Sequence, residues 1–215
     1  MFSNSLIPLL LAAATTTLTA QVSLEAIVPA RMHYAGPSIQ VTITGAGFSA
    51  GTNLQVLFDG HPATGVTIVN DNTLTCMVPE CDPGLVDVQV VNSIGQHTMV
   101  RAFAYTPAVH TSGNHVPGGS ILVSCFQDPG EVIFGAFGHT EIAAAAPPWI
   151  GELRVWPPTL LFVIPSWPFP RFDLPMPIPA SPSVSGTQIV FQSLVGPDIM
   201  QGLAAFSNAS TVVIQ

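Results

Sequence analysis

Apolar and polar positions alternate along much of the chain. In Val41-Thr42-Ile43-Thr44 the apolar side chains point one way and the hydroxyls the other, the period of a strand with one buried face, and Val86-Asp87-Val88-Gln89-Val90 repeats it strictly. Leu24 to Val28 stops at Pro29, Ile39 to Thr44 stops at Gly45, and Leu54 to Phe58 runs into Asp59-Gly60, a dipeptide favoured in tight hairpins. Val66 to Val69, Leu74 to Val78, Val86 to Val90 and Met99 to Tyr105 complete the series, and no segment between Leu24 and Tyr105 has a helical period. Short strands at turn-punctuated spacing predict an antiparallel sandwich of immunoglobulin type. The strand at Val41 enters a tight corner at Gly45-Ala46-Gly47, where glycine supplies the backbone angles. Phe48 then has the bulk to plug the end of the core.

Residues 107–117 carry Pro107, Gly113 and Pro117 with little apolar content and read as a linker. A second domain is expected over 118–215, its strands at Ser120 to Phe126, Val132 to Phe137, Ile150 to Trp156, Thr159 to Ile164, Arg171 to Ile178, Thr187 to Val195 and Thr211 to Ile214. Between Pro147 and Pro182 lie 11 prolines and all three tryptophans. Proline cannot donate to a sheet ladder, so this stretch is assigned to edge strands and loops. The fold class is therefore all-β, two antiparallel β-sandwich domains, the first immunoglobulin-like.

The first half also resembles a known family. Ile27-Val28-Pro29, Val41 through Phe48, Val56-Leu57-Phe58-Asp59-Gly60, Leu74-Thr75-Cys76-Met77-Val78-Pro79, Gly84, Val86 through Asn92, Gly95 and Phe103-Ala104-Tyr105 are similar, in that order, to an IPT/TIG domain over about residues 23–106. One departure is Gly36-Pro37-Ser38, where the family has Gly-Gly-Thr. The resemblance implies an immunoglobulin-like module of the kind found in cell-surface receptors, in extracellular polysaccharide-acting enzymes and in some transcription factors, with no catalytic residues to carry over. Gly186 through Gln192 and Ser207-Asn208-Ala209 are similar to a carboxy-terminal β-sandwich of secreted bacterial proteins, which implies no activity.

Charge narrows the partners. The net charge is −8, from 12 acidic residues against Arg31, Arg101, Arg154 and Arg171, with no lysine. Phosphate backbones and anionic membrane surfaces are repelled by such a surface, so no nucleic acid is expected as a partner. Charged residues make up only 7% of the chain, too few for the wet faces of long surface helices. Residues 1–20 read as a signal peptide, with an apolar run from Leu6 to Ala14 and Leu18-Thr19-Ala20 before Gln21. The run is too short to span a bilayer. The expectation is export to the medium or cell surface without membrane insertion of the mature chain, whose first domain is 21–106.

Cys76 and Cys81 flank a predicted turn and are a candidate disulfide that staples it, with two unpaired thiols as the alternative. Cys125 shares a strand face with Ile121 and Val123 and reads as a small buried apolar group. Gly47-Phe48-Ser49-Ala50-Gly51 has the spacing of a hydrolase nucleophile elbow. Thr52 to Phe58 continues as a strand and supplies no helix, so the match is set aside. His110, His115 and His139 show no metal-ligand spacing, and Asp128 with Glu131 brackets an ordinary Asp-Pro-Gly turn. No catalytic residue, cofactor or metal is assigned.

Trp149, Trp156 and Trp167 are the candidate contacts for a glycan, if their rings are exposed to stack on sugar faces. Otherwise they close the second core. The expected function is a secreted, non-catalytic structural, adhesive or protein-interaction module, with carbohydrate binding as the alternative. The partner is an extracellular protein or polysaccharide. A hydrolase is the third reading.

Overall fold

A computed structural model describes residues 21–165 and 168–215. The expected signal peptide and Trp167 lie outside the described residues. Nearly every element is a strand, with two short 3-10 turns at Pro182–Val184 and Ile199–Gln201.

The first unit holds β1 (Ser23–Val28), β2 (Arg31–His33), β3 (Gln40–Ala46), β4 (Gln55–Phe58), β5 (His61–Pro62), β6 (Thr64–Asn70), β7 (Thr73–Met77), β8 (Gly84–Asn92) and β9 (Gly95–Thr106). They form two sheets, β1-β3-β7-β6 and β2-β9-β8-β4-β5. Each predicted strand is present. Val41, Ile43, Leu74, Cys76, Val56, Phe58, Val88 and Val90 face inward into one core, as the alternation requires. The corner behaves as read. Gly47 sits at φ +77°, and Phe48 is wholly buried. A Cβ on Gly45 would lie 2.0 Å from the Ser23 carbonyl oxygen, so no other residue lets β1 and β3 pair there. Asp59 and Gly60, at φ +48° and +80°, make the hairpin turn between β4 and β5. The alternation does not disclose β2, a three-residue strand that pairs parallel to β9.

The second unit holds β10 (Ala108–Asn114), β11 (Ser120–Phe126), β12 (Val132–Gly138), β13 (Thr140–Ala145), β14 (Glu152–Trp156), β15 (Thr159–Ile164), β16 (Arg171–Pro177), β17 (Gln188–Asp198), β18 (Leu203–Phe206) and β19 (Ser210–Val213). One sheet runs β10-β11-β16; the other runs β15-β12-β17-β18, with β19 also on β17. Val109, Ile121, Val123, Cys125, Phe191 and Val212 fill the space between them. Burial pushes the Cys125 thiol up to about 12. The prolines fall where a missing N–H is tolerated: β16, with Pro175 and Pro177, is an edge strand, as is β15.

The stretch 107–117 is not a linker. Ala108 to Asn114 pairs residue by residue with Phe126 to Ser120, and Ala108 and Val109 are buried. Only Pro107 separates β9 from β10. Two apolar residues followed by His-Thr-Ser-Gly-Asn give no strand signal by themselves; the pairing to β11 makes the strand.

Candidate functional site

The two units meet at a groove. Tyr34, just after β2, reaches across it, since a Cβ on Gly151 of the second unit would lie 3.0 Å from the Tyr34 hydroxyl. Burial, reinforced by the Asp82 charge, raises the pKa of this phenol. A salt bridge of 3.2 Å from Arg31 to Asp128 closes another part of the joint. The cleft beside Tyr34 measures about 350 Å³, and Asp82, Glu141, Glu152, Arg154 and Phe206 share its wall.

Position in that wall follows from strand register. Glu141 lies on β13, Glu152 and Arg154 on β14, and the guanidinium of Arg154 spans the two carboxylates at 3.3 and 3.2 Å. All three are well exposed, so the pairs fix geometry more than they stabilise the fold. The hairpin is held from beneath by Gln192 of β17. Its buried amide donates to the Glu152 carbonyl (2.8 Å) and the Ser207 carbonyl (2.9 Å), and its oxygen accepts from the Arg154 N–H (2.8 Å). Asn208 completes the floor by binding both backbone groups of Val109, accepting at 2.8 Å and donating at 2.9 Å, as a strand residue would.

Asp82, Pro83 and Asn208 also line an adjoining depression of about 280 Å³, whose other walls include Asp59, His61, Cys81, Arg101 and His110. The groove therefore continues around the Asp82-Pro83 turn and carries both signs of charge.

The disulfide expected between Cys76 and Cys81 is not formed; all three cysteines are free. Cys76 points into the first core from β7, opposite Val41, while Cys81 lies past Pro79 at the groove, its Sγ 3.4 Å from His61 Nδ1. One thiol is committed to the core face and the other to the rim, so the short loop does not bring them together. Burial pushes Cys76 up to about 11, and burial together with Asp59 and Asp82 raises Cys81. Titration of the native protein with an aromatic disulfide is expected to consume Cys81 first, and Cys76 and Cys125 only on unfolding. Fast reaction of all three would contradict the burial described.

The tryptophans are not equivalent. Trp149 packs edge-on to Phe206 with ring centroids 6.0 Å apart, and its Nε1 donates to the Ile199 carbonyl at 3.0 Å, so it belongs to a small cluster on the outer side of β17. Trp156 is 53% exposed. Ser49 of the elbow-like motif donates to Asp71 at 2.6 Å, with no helix behind it. Asp128 and Glu131 form a local turn in which the Asp128 N–H meets Glu131 Oε2 at 2.8 Å. Among the described residues no three His, Cys, Asp or Glu side chains converge as a metal site, and no helix is long and apolar enough to cross a membrane.

Tyr34, Gln192, Asn208 and Arg101 were not singled out from the sequence. Each sits in a polar or mixed stretch whose meaning depends on what another strand brings beside it. Gln192 and Asn208 carried a weak signal, inside Gly186 through Gln192 and Ser207-Asn208-Ala209.

Residues 23–105 match the profile of the IPT/TIG domain. Among solved structures, the full extracellular region of plexin A4 aligns at 14% identity and TM-score 0.35, over 87% of this chain and 16% of that one, so the chain spans about a sixth of that protein. SGBP-B from a complex xyloglucan utilization locus in Bacteroides uniformis aligns at 11% identity and TM-score 0.35, covering 91% of this chain and 74% of that one. The chicken interferon gamma receptor alpha chain aligns at 11% identity and TM-score 0.29, covering 91% and 97%. No curated protein matches the chain.

Proposed function

We propose, from the premise that the first unit is an IPT/TIG domain, that this chain is an exported, non-catalytic recognition module whose contact surface is the groove between its two sandwiches. One observation carries the reading. The groove wall is built from both units and holds Tyr34, Asp82, Glu141, Glu152 and Arg154 with their polar heads already positioned at a concave surface, where binding groups are commonly found. The partner is an extracellular protein or polysaccharide.

Retention on cell-envelope fractions of the producing organism tests this. Binding that falls about tenfold in Tyr34→Ala, the scale of losing one buried aromatic contact, supports the groove; equal retention by Tyr34→Ala, or none by the parent protein, overturns it. The amino terminus of the protein recovered from the medium is expected near Gln21. The second reading is carbohydrate binding, favoured by the half-exposed indole of Trp156. Retention on insoluble polysaccharides that disappears in Trp156→Ala would select it, and no retention on any would remove it.

A further inference from the structure

Four arginines face 12 carboxylates in this chain, so every guanidinium has a surplus of anions to choose from. Three take one: Arg31 binds Asp128 at 3.2 Å, Arg154 binds Glu141 and Glu152, and Arg171 binds Asp173 at 2.7 Å. Arg101 forms no ion pair among the described residues. Its Nη1 lies 2.9 Å from Nε2 of His110 instead. A guanidinium only donates, so that ring nitrogen accepts, and the imidazole is neutral with its proton on Nδ1. Burial, then the charges of Arg101 and Arg171, hold the His110 pKa below its ordinary value. The pair thus carries a single positive charge, on a guanidinium that no carboxylate contacts as an ion pair among the described residues.

Arg101 lies in the β-bulge where the β8–β9 register shifts between Val86 and Val88. It sits at φ +52°, a conformation that costs a residue with a Cβ about 1 kcal/mol. Its N–H donates to Asp87 Oδ1 at 2.8 Å, so that carboxylate holds the main chain.

The depression lined by Arg101 and His110 is also lined by Asp59 and Asp82. A polyanion suits Arg101 and is repelled by the aspartates; a simple cation meets the reverse. A molecule carrying one charge of each sign satisfies both, and about 280 Å³ suits a small one. From this we infer that the depression binds a small zwitterion of the amino-acid type, its carboxylate on the Arg101 guanidinium and its ammonium on Asp59 and Asp82. This rests on the reading of the groove as a contact surface and names a ligand class for it.

Calorimetry on the full exported chain at neutral pH and low salt tests it, with glycine, β-alanine, γ-aminobutyrate and ε-aminocaproate as probes and acetate, methylamine and citrate as controls. At least one zwitterion is expected to bind about tenfold more tightly than any control, the scale of one charge-assisted contact. Arg101→Gln, which keeps the backbone N–H, and Asp82→Asn are each expected to weaken it about tenfold, whereas Glu25→Gln on β1 leaves it unchanged. Melting curves confirm that the variants are folded. Equal binding of acetate or citrate, an unaffected Arg101→Gln, or no heat from any zwitterion overturns the inference. If the zwitterions fail while Tyr34-dependent retention on envelopes persists, the ligand class is wrong and the contact surface stands.

Discussion

Phe48→Ala is expected to destabilise the first sandwich by about 3–5 kcal/mol, the usual loss when a wholly buried phenylalanine leaves a cavity. The ring closes the end of the core where Asn92 of β8 donates to the Gly47 carbonyl at 3.3 Å, and its Cζ lies 2.8 Å from where a Gly45 Cβ would stand. The backbone on either side is locked: Gly47 is left-handed and its N–H and that of Ser49 both donate to the Asp71 carboxylate, while the Phe48 N–H donates to the Asp71 carbonyl at 3.1 Å. The space therefore has little means of collapsing. Urea unfolding followed by circular dichroism reads the effect. The described tryptophans, Trp149 and Trp156, lie in the second unit, and Trp167 follows them in sequence, so tryptophan fluorescence reports on that half of the chain separately. A shifted dichroism transition with a nearly constant fluorescence transition is the expected result. An unchanged midpoint would mean that the corner is not a structural plug.

Gln192→Leu is expected to destabilise the second sandwich by about 2–4 kcal/mol, although the new side chain is of similar size and apolar. The amide is 3% exposed and makes three hydrogen bonds, so its removal strands two carbonyls and the Arg154 N–H beneath the groove. An orphaned buried group costs about 1–3 kcal/mol, and some of that is recovered by the gain in apolar packing. Here the tryptophan fluorescence transition should move, and Tyr34-dependent retention should weaken with it because Glu152 and Arg154 lose their support. Gln192→Glu separates the two effects: it keeps the acceptor for the Arg154 N–H and loses the donors to Glu152 and Ser207. A Leu variant as stable as the parent would show that the hairpin β13–β14 is held by other means.

The two halves of the chain were legible to different degrees. In the first, each strand has one buried face, and period-two alternation between Gly, Pro and Asp-Gly turns carries enough information to place it. The failures there are β2 and β5, three and two residues long, too short for any period to show. The second half has less alternation. Ala108–Asn114 is mostly polar, Thr140–Ala145 is mostly small, and Leu203–Phe206 has no polar partner to alternate with, so all three strands exist through pairing with the neighbouring strand rather than through a pattern of their own. The proline-rich stretch was nonetheless read correctly as edge structure, because the missing N–H is a local property.

The site shows the same division. The tryptophans stand out by composition, yet Trp149 is committed to packing and only Trp156 among the described indoles offers its face. The cysteines suggest pairing by spacing, yet one faces the core and the other the rim. By itself the sequence determined the all-β class, the Gly45 to Phe48 corner with Phe48 as its plug, and a net negative charge, since each depends on neighbours along the chain or on summed charge. Only the tertiary structure decided that the units abut through Pro107, that Tyr34, Glu152 and Arg154 share a wall, and that Arg101 faces His110 without a carboxylate. Arg101 and His110 are nine positions apart and Tyr34 and Arg154 come from different units; both juxtapositions are set by sheet register and by the joint between two sandwiches, and no local pattern encodes them.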